Sequence, residues 1–271
     1  MNKVSISTGC LPRLESRPFY ELSSATRMMK RFLKESVADG FEFVLFPEWD
    51  SGNSPLTPSD APSDCERHPI EEIAEALEGK GFPILSVHAN RDIGNYLCSE
   101  DAEKVSKGIR LVDECLRFTR KVGSNICVFH LWDTWKETID LAHLQTVYKR
   151  FQKANPDIAF SVENVPTGIK GMTPFQLIQG FTHKTLDLKW ASLFDEFDAF
   201  AETIEQVDNV HVQGKYQNGA LFPAVGVLDY ERALDRIKEA GYKGIFTIEL
   251  EGKASYGEML KCVAKLGESL K

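Results

Sequence analysis

Four ionisable side chains stand inside or at the end of short apolar segments. They are Glu163 (SVENV), Asp187 (TLDLKW), His211 (NVHVQGK) and Glu249 (TIELEG). Burying a carboxylate costs several kcal/mol unless a cation or hydrogen bonds compensate. A divalent ion is the simplest compensation, and three carboxylates with one imidazole suit Mn2+, Mg2+ or Co2+, with Zn2+ also possible. The spacing therefore predicts one divalent metal held by these four residues, although Asp187 could instead cap a helix and His211 could be structural.

Other polar residues follow the same kind of segment. His88 (SVHAN) and His130 (CVFHLW) are candidates for substrate binding, although a lone histidine at a strand end is more often a hydrogen-bonded core residue. Lys215 could bind a hydroxyl or phosphate, or could be an ordinary exposed lysine. The tryptophans could form the walls of a polyol pocket or pack at its rim; they are Trp49, Trp132, Trp135 and Trp190. Glu48 and Glu251 also occupy segment ends.

These residues are distributed over alternating β-like and helical segments. The eight predicted strands are Val4–Thr8, Phe41–Phe46, Ile84–His88, Ile126–Leu131, Ile158–Val162, Thr185–Leu188, Asn209–Val212 and Ile245–Leu250. Segments of helical period separate them, among them Phe19–Ala38, Ser99–Val122 and Ser192–Gln206. Strand starts are separated by about 24 to 42 residues, the size of a βα unit rather than a hairpin.

Alternating β and α elements predict an α/β fold with a parallel sheet covered by helices. An open sheet would normally show a glycine-rich phosphate loop after its first strand, whereas this chain reads TGCLP there. The length of 271 residues suits one (β/α)8 TIM barrel, so we expect a single domain over 1–271. In such a barrel the reactive groups lie at the carboxyl ends of the strands. The long Ser/Pro/Asp-rich loop at 51–68 would lie on that face as a lid or a disordered insertion.

Composition excludes several classes of partner. The formal net charge is -8, and no run of five basic residues occurs, so we expect no nucleic acid partner. No stretch of 18 apolar residues or signal-peptide pattern is present, so we expect no membrane span. The six cysteines form no CxxC pair, which favours reduced, mostly buried thiols in a cytoplasmic protein. The sequence is compatible with a homo-oligomer and does not decide the oligomeric state.

The order of these residues, with the closing segment GVLDYERALDRIKEAGYKGIFTIELEG, resembles the xylose isomerase-like barrel superfamily. Its sugar phosphate isomerase and tagatose 3-epimerase-like branches are the most similar. In the epimerases, the residues matching Glu163, Asp187, His211 and Glu249 hold one divalent metal, and the two glutamates act as acid and base. The resemblance implies an isomerase or epimerase of carbohydrate metabolism that acts on a small sugar, sugar phosphate or hydroxy-keto acid by enediolate proton transfer.

The sequence departs from the family pattern at two points. Trp190 stands where a substrate-contacting histidine is common, and an arginine expected after His211 is absent, with Lys215 and Gln217 nearby. A lyase or dehydratase of the same superfamily and a non-catalytic barrel that binds a small molecule therefore remain alternatives. An endonuclease IV-like repair enzyme is disfavoured, because a histidine and an Asp-x-His motif for its further metals are missing.

Overall fold

Eight parallel strands close into a barrel in the computed structural model, which describes residues 2–15, 21–56, 65–252 and 254–271. Each barrel strand pairs with the next one along the chain, and the first pairs with the last to complete the ring. The barrel strands are β1 (Lys3–Ser7), β2 (Gly40–Val44), β3 (Ile84–His88), β4 (Ile126–Phe129), β5 (Ala159–Glu163), β6 (Lys184–Asp187), β7 (Val207–Gln217) and β9 (Ile245–Leu250). The predicted (β/α)8 fold is confirmed.

The helices cover the outside of the barrel. They are α1 (Leu22–Glu35), α2 (Ile70–Glu78), α3 (Ile93–Leu97), α4 (Ala102–Lys121), α5 (Leu141–Ala154), α6 (Pro174–Ile178), α7 (Leu188–Leu193), α8 (Phe197–Ala201), α9 (Tyr230–Glu239) and α10 (Tyr256–Ser269). In α4 the buried side chains, Leu111, Val112, Cys115, Leu116 and Phe118 among them, recur at helical spacing. The apolar stripe therefore packs on the sheet while the charged face meets solvent.

The region after β6 differs from the predicted single helix over Ser192–Gln206. It contains two short helices, α7 and α8, because Asp195 adopts a left-handed backbone (φ 53°) that ends the first. Ser192, the first residue of that predicted helix, lies inside α7, and its hydroxyl accepts a hydrogen bond from Leu228 N at 2.9 Å. The cap of α7 is Asp187. The sequence correctly indicated helical structure in this region, but the spacing of its apolar residues did not show where the helix is interrupted.

β7 is longer than the other strands and continues beyond the barrel. Its last residues pair with β8 (Ala220–Phe222) in an antiparallel hairpin through the positive-φ pair Asn218 and Gly219. Lys215 lies on this hairpin, where its backbone pairs with Phe222. The hairpin extends the wall of the barrel at its carboxyl end.

The predicted lid at 51–68 includes residues 57–64, which lie outside the described residues. At its two ends, Asp50 and His68 form an isolated parallel bridge, which brings the start and end of the loop together. Within the described ranges no helix combines the length and the apolar character that crossing a membrane requires.

Candidate metal centre at the carboxyl end of the barrel

The strand period places the predicted site residues inside the barrel in one layer. Successive residues of a strand face opposite sides of the sheet, so residues two apart share a face. Each of five strands carries a small polar residue two positions before a site residue, and all five of these residues are fully buried. The pairs are Ser86 and His88, Ser161 and Glu163, Thr185 and Asp187, Asn209 and His211, and Thr247 and Glu249. A polar layer thus lies directly beneath the site, where many barrels hold branched apolar residues.

The structure brings the four predicted ligands together. Nδ1 of His211 lies 3.6 Å from Oε2 of Glu163 and 3.8 Å from Oε2 of Glu249. Glu163, Asp187 and His211 each offer one ligand atom, and these atoms lie within 4.8 Å of one another. All three are buried, and Glu249 is partly open to solvent, with 18% of its side chain exposed. The cluster opens to solvent on the side of Glu249.

Asp187 divides its two carboxylate oxygens between two environments. Oδ1 accepts hydrogen bonds from the backbone N–H groups of Lys189 (2.7 Å) and Trp190 (3.1 Å) at the start of α7. Oδ2 is buried and has no hydrogen-bond partner among the described residues. The helix cap that the sequence left as an alternative is therefore present, and it leaves the second oxygen available to a ligand.

Asn164 holds the backbone of Asp187 in place. Its amide oxygen accepts from Asp187 N at 2.6 Å, and its amide nitrogen donates to Asp187 O at 3.1 Å. These two bonds join the ends of β5 and β6, the strands that carry Glu163 and Asp187. The sequence reasoning missed Asn164, although it directly follows Glu163 and is fully buried.

The charges of the cluster are unbalanced. Burial and the charge of Glu163 raise the pKa of Asp187 well above its usual range. Burial likewise raises the pKa of Glu249. Burial opposes the ionised form of Glu163, but the positive charges of His130 and His211 outweigh it and hold the pKa of that carboxyl well below its usual value. A bound cation would stabilise the ionised forms of Asp187 and Glu249, and it would give Oδ2 of Asp187 a partner.

His88, at the end of β3, and His130, just after β4, both contact Glu163 on β5. Nε2 of His88 lies 3.3 Å and Nε2 of His130 lies 3.0 Å from the same oxygen, Oε2. Nδ1 of His88 faces the carbonyl of Ala89 at 3.1 Å, which directs Nε2 inward. Although burial favours its neutral form, the hydrogen bond and charge of Glu163 raise the pKa of His88 to about 9. These three residues form a second group with the spacing of metal ligands.

Several other residues singled out by the sequence have side-chain partners outside this centre. Glu48 forms an ion pair with Arg91 (2.6 Å), and Glu251 pairs with Lys189. Lys189 Nζ also lies 4.0 Å from the ring centroid of Trp190, which is half-buried. Trp49 and Trp132 are core residues and Trp135 is 88% exposed, so the four tryptophans do not form one common wall. Lys215 is exposed on the β7–β8 hairpin.

The buried carboxylate Glu42 was missed entirely. It lies on β2 and is fully buried, and its Oε2 lies 3.1 Å from Nε2 of His211. Its signal was present in the sequence, because a glutamate inside the apolar segment GFEFVLF fits the argument applied to Glu163 and Glu249. Glu48 drew attention instead because it follows the strand.

A family model described as "Xylose isomerase-like TIM barrel" matches residues 31–266, which is most of the chain. The chain belongs to this family. No curated protein matches the sequence. Solved structures share the fold at low sequence identity, over nearly the whole of both chains.

Three solved structures illustrate that likeness. D-allulose 3-epimerase from Methylomonas sp. has a TM-score of 0.69 at 12% identity, with 99% of this chain and 98% of that chain covered. A further structure of that epimerase, in complex with D-allulose, has a TM-score of 0.68 at 12% identity, with 100% and 97% covered. An L-ribulose 3-epimerase has a TM-score of 0.68 at 14% identity, with 100% and 95% covered. At these identities the likeness establishes the fold, and the xylose isomerase-like barrel supplies the frame for the site described above.

Proposed function

We propose that this protein is a divalent-metal-dependent isomerase or epimerase of a small sugar, sugar phosphate or hydroxy-keto acid. The observation that carries the proposal is the buried Oδ2 of Asp187, which has no partner among the described residues and belongs to a residue grouped at ligand spacing with Glu163 and His211. That oxygen and Nδ1 of His211, which likewise lacks a partner within the described residues, fit the donor set of Mn2+, Mg2+ or Co2+, and also of Zn2+. Glu163, Asp187, His211 and Glu249 would hold that ion.

When bound, a divalent cation supplies positive charge that acidifies the C–H group beside a ketose carbonyl. The two glutamates then perform the proton transfer. Glu163 lies at the base of the cluster and Glu249 at its opening, so a substrate seated between them presents one face to each carboxylate. One glutamate removes the proton from carbon and the other delivers a proton from the opposite face, which inverts or relocates the stereocentre.

The remaining predicted residues take substrate-contacting roles in this proposal. His88 and His130 hold Glu163 through its Oε2 and, being on adjacent strands, are within reach of a hydroxyl bound near that carboxylate. Trp190 offers a half-buried aromatic face, and Lys215 on the hairpin offers a cation to a hydroxyl or phosphate. Epimerases of ketoses share the fold, and one of them was solved with D-allulose, which makes free ketoses the first substrates to test.

We place the enzyme in the cytoplasm. Four of the cysteines are buried, namely Cys10, Cys115, Cys127 and Cys262. Burial raises the pKa of the Cys115 thiol to about 12, so it is protonated and unreactive at neutral pH. Such thiols fit a reducing compartment.

Solvent exchange tests the proposal directly. The protein is loaded with Mn2+ or Mg2+ and incubated in D2O with D-allulose, L-ribulose or D-tagatose, and 1H NMR follows deuterium at the carbon beside the carbonyl. Glu163→Gln and Glu249→Gln should each lower the exchange rate by at least about 100-fold, the usual contribution of a general acid or base. Glu202→Gln, exposed beyond α8 at the other end of the barrel, is the matched control.

Metal content is measured on the same samples. One ion per chain fits the four-ligand site, and loss of that ion in the two variants identifies the ligands. Absence of metal binding and of exchange with every ketose would refute the proposal. Binding of a ketose without exchange would favour a non-catalytic barrel.

A further inference from the structure

A buried polar network extends below the metal ligands and ends on Glu42. Its Oε2 accepts hydrogen bonds from Ser86 Oγ (2.8 Å), Asn209 Nδ2 (2.8 Å) and His211 Nε2 (3.1 Å). Thr247 Oγ1 donates to Asn209 Oδ1 at 2.9 Å, which fixes the orientation of the Asn209 amide. The five residues are fully buried and come from four different strands.

The imidazole of His211 separates this network from the cluster of ligands. Its Nε2 faces Glu42, whereas its Nδ1 faces Glu163 and Glu249. A histidine that binds a metal through one nitrogen commonly donates its other N–H to a carboxylate, which fixes the tautomer and the ring direction. The hydrogen bond to Glu42 occupies Nε2 as a donor, so Nδ1 is the nitrogen left to bind a cation.

We propose that Glu42 is a positioning residue that acts through His211, holding Nδ1 of the imidazole toward the metal centre. This inference rests on the proposed function and assigns the support of its histidine ligand. Oε2 of Glu42 lies at Nε2, on the far side of the ring from Glu163, and accepts three hydrogen bonds, so this oxygen anchors His211. Its Oε1 has no partner among the described residues, and Glu42, His211 and Glu249 themselves have the spacing of metal ligands.

The polar layer explains why a full carboxylate is tolerated at this depth. Burial opposes ionisation of Glu42, but its neighbours His211, His88 and Ser86 lower its pKa nonetheless. A neutral amide of the same shape can still accept the three hydrogen bonds, whereas a thioether cannot. Glu42→Gln and Glu42→Met therefore separate the hydrogen bond from the mere occupation of space.

The first measurement is Mn2+ affinity by isothermal titration calorimetry, supported by the visible spectrum of the Co2+-loaded protein. Loss of an outer partner of a metal-binding histidine typically weakens metal affinity by about 10–100-fold. We expect that loss and an altered Co2+ spectrum for Glu42→Met, with a clearly smaller loss for Glu42→Gln. Ser86→Ala, which removes one neutral donor to the same oxygen, is the matched control and should remain within about fivefold of wild type.

The second measurement needs no metal. 1H–15N NMR of the metal-free protein should show a slowly exchanging Nε2 proton of His211 in the wild type, in Ser86→Ala and in Glu42→Gln, and its loss in Glu42→Met. Circular dichroism shows whether each variant is folded. If Glu42→Met fails to fold, the comparison of Glu42→Gln with Ser86→Ala decides. A retained Nε2 proton in both variants supports the proposal, and its loss in Glu42→Gln overturns it.

Two further results overturn the inference. One is Mn2+ binding by folded Glu42→Met within about fivefold of wild type, and the other is persistence of the protected Nε2 proton in that variant. If the wild type binds none of Mn2+, Mg2+, Co2+ and Zn2+, the proposed function fails by itself, and the NMR comparison still decides whether Glu42 sets the tautomer of His211.

Discussion

Asp187→Asn should stabilise the metal-free protein and at the same time abolish its stabilisation by metal. Asp187 is fully buried, its Oδ1 caps α7, and its Oδ2 has no partner among the described residues. Asparagine keeps the capping oxygen and replaces the unpartnered oxygen by an amide donor within the cluster that contains the carboxylate of Glu163. The substitution therefore removes a buried charge without removing the cap.

The expected magnitude follows from the cost of an unsatisfied buried group, about 1–3 kcal/mol. For a chain of 271 residues, an unfolding entropy of about 2.1 cal/mol/K per residue converts 1 kcal/mol into about 2 °C of Tm. Asp187→Asn should therefore raise Tm in EDTA by about 2–6 °C. Mn2+ at about 100 times its Kd should stabilise the wild type by about 2.7 kcal/mol and the variant not at all. Added metal should therefore raise the Tm of the wild type by about 5 °C and leave that of the variant unchanged.

The pH dependence provides an internal check. The pKa of Asp187 in the folded protein lies above its unfolded value near 3.8, so the ionised group destabilises the metal-free fold. That penalty is complete above the folded-state pKa and disappears below the unfolded one. The gain from Asp187→Asn should therefore be greatest above the folded-state pKa and shrink toward pH 4.

Differential scanning fluorimetry and urea titration measure both effects. Asp229→Asn is a matched control, since Asp229 caps α9 through Oδ1 in the same manner but is exposed. It should change Tm little in EDTA and leave the Mn2+ response intact. A lower Tm for Asp187→Asn in EDTA, or an unchanged response to Mn2+, would refute the reasoning.

Three further expectations concern protons and packing. Binding of Mn2+ should release protons and tighten as pH rises, because the pKa values of His211 and Glu249 are raised in the metal-free site. Calorimetry in buffers of different ionisation enthalpy measures this proton release, and a binding heat that is independent of the buffer contradicts it. His183 is hydrogen-bonded to Asp208 at 3.0 Å, which raises the pKa of His183. The contribution of this bond to the free energy of unfolding, up to about 1 kcal/mol, should be complete below pH 6 and be lost as pH rises through the folded-state pKa. An equal cost of His183→Gln in urea unfolding at pH 5.5 and pH 9 would contradict this. Phe160→Ala should cost about 3–5 kcal/mol in urea unfolding, because the ring is fully buried against Phe129; a loss below about 1 kcal/mol would show that the core collapses around the gap.

The strands were predictable because their signal is local. Segments such as Ile84–His88 and Ile245–Leu250 are apolar, short and bounded by helical segments, and the structure has strands with those bounds. The short helix α3 was missed because its five residues span little more than one turn and show no period. The break at Asp195 depends on how α7 packs against the loop at Leu228, a contact between residues distant in the chain.

The candidate site was predictable to the extent that a polar residue in an apolar strand needs an explanation. Glu163 and Glu249 drew attention in this way, and by the same argument Glu42 should have done so. Asn164 gave no comparable signal, since an asparagine after a strand is ordinary turn chemistry. Its role arises from two hydrogen bonds to the backbone of Asp187, 23 residues away.

The sequence by itself determined the alternation of strands and helices, hence the barrel, and the set of acidic and imidazole side chains at the ends of its strands. Period two and a parallel sheet suffice for that, because they place those side chains on one face and at one end. The tertiary structure alone decided which atoms meet. It paired Glu48 with Arg91, directed both His88 and His130 to one oxygen of Glu163, and placed Glu42 behind His211. Register and closure of the barrel fix those distances, and neither is a property of any single segment of the chain.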